Sequence, residues 1–305
     1  MHILVLEGGD SSEREVSLRS ARSVALALIN SGHKVTQYDT ADGFDGIKDH
    51  ISGVDIVFPI LHGIGGEDGS VQRVLKNLQI PYLGASADVS RVCFDKLVTK
   101  EIVTKQGMKT PSFEVVTSST FMQSVLLDNP YVLKPIQGGS SIDTFIIRSP
   151  QKDTESELAQ MRSALGRHTQ MLLEELIQGQ ELTVSILGSQ ALPVIEIIPP
   201  EHEEFNYENK YNGKTQELCP PINISHEIQL RAQTIAFELH NILSVRHFSR
   251  VDMIVRDGAI YVLEINTIPG LTDTSLLPKA AQTAGMSMED LVQKFVDLVA
   301  INWRN

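Results

Sequence analysis

The first ninety residues alternate strand, turn and helix, a rhythm that restricts this part of the chain to a parallel sheet. Residues 3–6 form a short apolar strand that runs into Gly8-Gly9-Asp10-Ser11-Ser12-Glu13-Arg14-Glu15, where Ser12 and Glu15 have capping-box spacing. Ala21, Val24, Ala25 and Leu28 then recur at i, i+3, i+4 and i+7, the period of one helical face. Gly32 closes that helix before a second strand at 34–38. A third strand at 55–61 leads into His62-Gly63-Ile64-Gly65-Gly66-Glu67-Asp68-Gly69. Strands separated by helices are joined by crossovers, which makes their sheet parallel.

A second unit opens with a helix at Asp95-Lys96-Leu97-Val98-Thr99-Lys100 and continues as strands at 131–134, 145–148 and 171–174. The strand at 131–134 ends on Lys134 and enters Gly138-Gly139-Ser140-Ser141. Small residues there let backbone N–H groups approach an anion, and Lys134 supplies a point charge. A third unit starts near Glu181 with Leu182-Thr183-Val184-Ser185-Ile186. The polar stretch bracketed by Pro199-Pro200 and Pro220-Pro221 is long for a loop inside a compact enzyme and reads as a lid. At 305 residues the chain is too long for one simple core. The expected division is 1–90, 91–180 and 181–305, with the lid at about 200–221.

The chemistry concentrates between Arg250 and Asn266, which read as two strands around the hairpin signal Asp257-Gly258. Glu264 and Asn266 are two residues apart and project from one face. Oxygen ligands so arranged, with Asp252 on the neighbouring strand, suit a hard cation such as Mg²⁺ that also takes substrate phosphates. A strict two-residue turn pairs Asp252 with Leu263 and turns it to the other face. An irregular turn or a bulge is therefore expected, to bring Asp252 opposite Glu264.

Several classes are excluded or left without support. A formal charge of −12 opposes nonspecific binding to nucleic acid or an anionic membrane, because both need a basic face. Nothing approaches the roughly 18 consecutive apolar residues of a membrane helix. Met1-His2-Ile3-Leu4-Val5-Leu6-Glu7 reads as a buried strand and not a signal peptide. Cys93 and Cys219 are far apart in sequence and lack metal-ligand spacing, which points to a reducing cytoplasm. No Walker motif, nucleophile elbow or zinc-protease motif occurs, and the glycine after Gly63-x-Gly65 arrives at Gly69, one residue late for a dinucleotide fingerprint. Two residues stay open on this reading: Glu13 either supports the first helical turn or grips a substrate ammonium, and His62 suits a hydrogen-bonded strand end.

Together, Ser12-Glu13-Arg14-Glu15-Val16-Ser17-Leu18, Leu61-His62-Gly63 with Gly66-Glu67-Asp68-Gly69, Ile80-Pro81-Tyr82-Leu83-Gly84 and Leu263-Glu264-Ile265-Asn266-Thr267-Ile268-Pro269-Gly270-Leu271-Thr272 resemble the D-alanine–D-alanine ligases of the ATP-grasp family, over nearly the whole chain. The resemblance implies an α/β fold of three domains and α+β subdomains. It also implies a cytoplasmic homodimer that uses ATP and Mg²⁺ to join two D-alanine molecules through an acyl phosphate for peptidoglycan synthesis. Two magnesium ions, replaceable by Mn²⁺, would be held by Asp252, Glu264 and Asn266. Lys96 and Lys134 would contact the phosphates, with Gly139 and Ser140 closing over them. Glu174, Glu175, Ile177 and Glu181 would bind the adenine and ribose edges, Glu175 mainly through its backbone. Glu13, with His62, would bind the first D-alanine, and Ser275 and Leu276 the carboxylate of the second. Arg250 and the Gly270 N–H would stabilise the oxyanion, Ser140 and Tyr211 would help orient the amine, and Lys210 on the lid would reach the transferred phosphate.

Three positions depart from the family pattern. Gly138 stands where relatives commonly carry an acid, Asp143 replaces a frequent glycine, and Arg73 replaces a usual glycine after Gln72. The rival readings are the same fold with D-lactate or D-serine as acceptor, a nicotinamide-dependent oxidoreductase, and a nucleotide-binding regulator without catalysis.

Overall fold

The fold is that of a computed structural model, which describes residues 1–150, 155–200 and 215–302. In the first sheet β1 (His2–Glu7) lies between β2 (Lys34–Asp39) and β3 (Ile56–Pro59), all parallel. A further parallel bridge pairs Val57 with Tyr82. Ile3, Leu4, Val5 and Leu6 are all fully buried, as a central strand covered on both faces requires. Helix α1 (Arg14–Asn30) makes the crossover, and Gly32 adopts φ +84° just past its end, the left-handed conformation that stops a helix. The start of α1 differs from the expected capping box. Glu13 is the N-cap residue and its side chain caps nothing; the hydroxyl that accepts the Glu13 N–H belongs to Ser11, which itself donates to the His62 carbonyl. A tertiary contact thus displaces the local signal.

Helices α2 (Ser70–Asn77), α3 (Ala87–Phe94) and α4 (Lys96–Lys105) lead to the second sheet. It is antiparallel, with order β4-β7-β5-β6, formed by β4 (Phe113–Val116), β5 (Tyr131–Pro135), β6 (Phe145–Ile147) and β7 (Met171–Glu175). Helix α5 (Glu155–Arg167) puts Met161, Ala164 and Leu165 against Tyr131, Leu133 and Leu173.

The third sheet has the order β11-β10-β8-β12-β13, with β9 (Gln190–Ala191) beside β8 (Gln180–Leu187). The remaining strands are β10 (Ile195–Ile198), β11 (Gln216–Leu218), β12 (Phe248–Arg256) and β13 (Ala259–Asn266). Along β12, Val251, Met253 and Val255 are buried among residues of α6 (His226–Ile242), while Arg250, Asp252 and Ile254 alternate onto the other face. After α7 (Leu276–Thr283), helix α8 (Met288–Asn302) returns to α1, and Phe295 meets Phe58 of the first sheet and Phe248 of the third in one core. No described helix is long and apolar enough to cross a membrane. Of the stretch expected to be a lid, residues 201–214, with Lys210 and Tyr211, lie outside the described residues, and Gln216–Leu218 is a strand paired with β10.

Candidate active site

Between the second and third sheets lies a cavity of about 530 Å³. Lys134, Glu174, Glu175 and the turn from Gly138 to Ser141 line it from one side; Ile177, Glu181, Asp252, Ile254 and Glu264 line it from the other.

The floor on the third-sheet side is the β12–β13 hairpin. Its turn is tight: Arg256 pairs with Ala259, and Asp257 and Gly258 have φ +52° and +73°. Positive φ at both central residues matches the strand twist and explains Asp-Gly at this point. The irregularity expected for this hairpin is therefore a bulge within the ladder and not an irregular turn. Met253 pairs with Val262 but Asp252 pairs with Glu264, so Leu263 is the extra residue. Arg250, Asp252, Glu264 and Asn266 consequently share a face. Arg250 forks onto Asp252 with Nε–Oδ1 2.8 Å and Nη2–Oδ2 2.7 Å. Thr183 Oγ1 donates to Asp252 Oδ1 at 2.6 Å, and Asn266 Nδ2 to Oδ2 at 3.0 Å. Four donors thus converge on one carboxylate; burial opposes the Arg250 charge, but Asp252 and then Glu264 outweigh it and hold the guanidinium firmly charged.

Three lysines surround the opposite end. Lys96 Nζ donates to the Gly138 carbonyl at 2.6 Å and lies 3.5 Å from Glu264 Oε2, tying the glycine turn to the hairpin. Glu174 is buried, with Lys134 Nζ 3.0 Å from one oxygen and Lys100 Nζ 3.0 Å from the other. Glu175 turns its carboxylate to Arg256 at 2.7 Å, while its N–H donates to the Ser112 carbonyl. Ile177 is 4% exposed, which makes it an apolar wall of the cavity.

Glu13 links the first sheet to this cleft. Ser140 Oγ donates to Glu13 Oε1, joining residues 127 apart in sequence. Gly63 (φ +75°) and Gly139 leave room for the Glu13 carboxylate: a Cβ would lie 2.7 Å from Glu13 Oε2 at the first and 2.6 Å from it at the second, so the carboxylate would have to shift. Glu67 Oε2 accepts the Gly63 N–H at 2.8 Å. Burial first, and then the charge of Glu13, raises the Glu67 pKa, so a proton on Glu67 relieves repulsion between the two carboxyls.

Burial, reinforced by Arg250 and only partly opposed by the bond to Ile268, lowers the His62 pKa to about 4. In the neutral ring Nδ1–H donates to the Ile268 carbonyl at 3.0 Å, so Nε2 accepts from Ser20 at 3.1 Å. Ser20 Oγ in turn accepts the Leu271 N–H at 3.3 Å. His62, expected in the substrate set, thus spends both ring nitrogens on the protein and fixes the loop that carries Gly270. Ser275 Oγ accepts the Thr272 N–H at 3.1 Å, and Leu276 is buried at the start of α7.

Lys100, Thr183, Ser20 and Glu67 support these groups but carry no assignment in the sequence reading. Lys100 had a local signal, being one helical turn from Lys96, and Glu67 sits within the Gly66-Glu67-Asp68-Gly69 segment.

Known proteins are similar to this chain over nearly its whole length. The family model for the D-ala D-ala ligase N-terminus matches residues 38–85, and that for the C-terminus matches residues 102–297. The D-alanine–D-alanine ligase of Methylacidiphilum infernorum is 38% identical across 99% of this chain and 97% of its own length. That of Thermotoga maritima is 40% identical across 96% and 95%. The chain belongs to the D-alanine–D-alanine ligase family. Its fold matches the crystal structure of the Bacillus anthracis D-alanine–D-alanine ligase complexed with ATP, with TM-score 0.83, 29% identity and coverage of 100% and 99% of the two chains. The departures from the family pattern are accommodated locally. Asp143 adopts φ +54°, as a glycine readily does, and binds Arg167 at 2.6 Å and His168 at 2.8 Å. Burial raises the Asp143 pKa, but those two bonds outweigh it and hold the carboxyl below its usual range. Gly138 has φ +128° with open space where a Cβ would stand, and Arg73 is exposed on α2.

Proposed function

We propose that this chain joins two D-alanine molecules at the expense of ATP, forming D-alanyl-D-alanine, ADP and phosphate. The observation that carries the reading is the Ser140–Glu13 bond, which joins a carboxylate suited to a substrate ammonium directly to the glycine-serine turn of the cavity. A carboxylate is a poor electrophile. One carboxylate oxygen of the first D-alanine attacks the γ-phosphorus, ADP leaves, and the carbonyl becomes an acyl phosphate. The amino group of the second D-alanine, once it has lost a proton, attacks that carbonyl, and phosphate departs from the tetrahedral intermediate carrying the former carboxylate oxygen.

The roles follow from chemistry and position. Lys96 and Lys134 bind phosphate oxygens, with the Gly139-Ser140 turn over them. Ile177 packs against the base while Glu181 lies at the ribose edge. The side chain of Glu174 is held by Lys134 and Lys100, and its backbone pairs with Phe113 and Val132 within the sheet. Glu13 takes the ammonium of the first D-alanine and Ser275 the carboxylate of the second. Arg250 and the Gly270 N–H face the developing oxyanion, and His62 holds the Gly270 loop in place through Ile268 and Ser20.

The donor set fits magnesium: two carboxylates and an amide on one face are too few to cage a cation, so phosphate oxygens and water would complete the shell. Asp252, Glu264 and Asn266 would hold it. Bound there, the metal neutralises phosphate charge. The chain acts as a homodimer in this reading.

The test is release of phosphate from ATP with Mg²⁺ and D-alanine, compared with L-alanine and with mixtures containing D-lactate or D-serine, identifying products by mass. D-Alanyl-D-alanine from D-alanine alone is the expected result. Release confined to mixtures with D-lactate or D-serine would move the acceptor, and no release in any mixture would refute the ligase reading.

A further inference from the structure

Lys100 lies behind the cavity wall and is 1% exposed. It leaves the same face of α4 as Lys96, one turn away. Their destinations differ. Lys96 reaches the glycine turn and Glu264, whereas Lys100 Nζ lies 2.6 Å from Thr110 Oγ1, 3.0 Å from Glu174 Oε1 and 5.7 Å from the centre of the Phe113 ring. Glu174 Oε2 is 3.0 Å from Lys134 Nζ. One buried carboxylate therefore serves two ammonium groups, of which only Lys134 lines the cavity.

The charge balance makes this arrangement informative. A lone Glu174–Lys134 pair would cancel and leave Lys134 little field for an anion. The second lysine breaks that balance, so the buried triad keeps a surplus positive charge at the cavity wall. The surplus matters because Glu181, Glu196, Asp252 and Glu264 also line the cavity and the chain carries a formal charge of −12.

We propose that Lys100 is a positioning residue of the nucleotide site: by sharing the Glu174 carboxylate, it leaves Lys134 an uncancelled positive charge directed at the ATP phosphates. This inference rests on ATP being the substrate. The charged groups around Lys100 are Glu174 on β7, Lys134 on β5 and, acting at longer range, Glu264 on β13. Burial, opposed by Glu174 and reinforced by Lys134, brings the Lys100 pKa down to about 8. As the pH rises through that value the carboxylate returns wholly to Lys134, and ATP binding weakens.

The test is calorimetric binding of ATP with Mg²⁺ to the whole protein, without D-alanine, at pH 7 and pH 9. Wild-type affinity is expected to fall about fivefold over that interval. Lys100→Arg keeps its charge at both pH values and should lose most of that fall. Lys100→Met should bind ATP about tenfold more weakly at pH 7, while its KM for D-alanine stays within about twofold of wild type. A wild-type affinity that does not change with pH, or the same fall in Lys100→Arg, overturns the role. Weakening of ATP and D-alanine alike in Lys100→Met also overturns it, since that outcome marks a purely structural lysine. Should Lys100→Met fail to fold, the wild type and Lys100→Arg decide between them. Wild-type protein that binds no ATP at either pH sinks the ATP reading itself, a result distinct from all of these.

Discussion

Replacing Arg250 with methionine separates the chemistry of this site from its architecture. The guanidinium makes two charge-assisted bonds to Asp252, at 2.8 and 2.7 Å, and the paired side chains are only 14% and 13% exposed. Removing one partner of a buried pair costs about 3–5 kcal/mol, because the other charge stays behind. Thr183 and Asn266 still donate to Asp252, so the lower end applies: about 3 kcal/mol, or a Tm lowered by about 5 °C in a protein of this size. If Arg250 also faces the oxyanion, kcat should fall about 10²–10³-fold at saturating ATP and D-alanine. Adding Asp252→Asn removes the stranded charge and should recover most of the lost Tm, but none of the lost kcat. The assays are calorimetric melting and steady-state phosphate release on the single and double variants. An Arg250→Met protein that melts early yet keeps kcat within about threefold of wild type would refute the catalytic role and leave Arg250 as a partner for Asp252.

Other consequences can be checked with equal directness. Gly63→Ala places a Cβ 2.7 Å from Glu13 Oε2 at φ +75°, so KM for D-alanine should rise at least about tenfold, with KM for ATP little changed by comparison. Asp143→Gly relieves a left-handed aspartate but removes its bonds to Arg167 and His168. These terms are each about 1 kcal/mol and opposed, so Tm should stay nearly constant while KM for ATP rises a few-fold; an unchanged KM would show that the clamp is irrelevant to the turn. Burial lowers the pKa of His62 and His240 to about 4 and of His247 to about 3. An unfolded histidine binds its proton near pH 6.5, so the unfolded chain takes up protons first as the pH falls. The histidine contribution should hold above pH 6.5 and decline steadily between pH 6.5 and 4, three rings against the one opposed contribution of Glu67, whose raised pKa favours the folded state as the pH falls. A Tm that stays flat across that interval would contradict the buried, neutral state of these rings.

What the sequence made legible was whatever local pattern controls. The β-α-β alternation gave the parallel sheet, and the two-residue spacing of Glu264 and Asn266 gave their common face. The bulge at Leu263 was foreseeable as a need and not as a place: the Asp257-Gly258 turn chemistry closes the hairpin in two residues, which leaves the slip to occur inside the ladder. Ser12 and Glu15 had capping spacing but lost to Ser11, whose hydroxyl is held by the distant His62 carbonyl. The Lys100–Glu174–Lys134 triad was hidden for a related reason. It draws on a helix and two strands that are adjacent only after folding, and a lysine in a helical run looks like an ordinary solvated charge.

The mechanism turns on one step: the carboxylate of one D-alanine is activated as an acyl phosphate before the bond to the second is made. D-alanine labelled with ¹⁸O in its carboxylate, turned over with unlabelled ATP in ordinary water, tests it directly. The expected result is one ¹⁸O in each phosphate released and one lost from the carbonyl at the new peptide bond. Dipeptide formed with no label in the phosphate would contradict it.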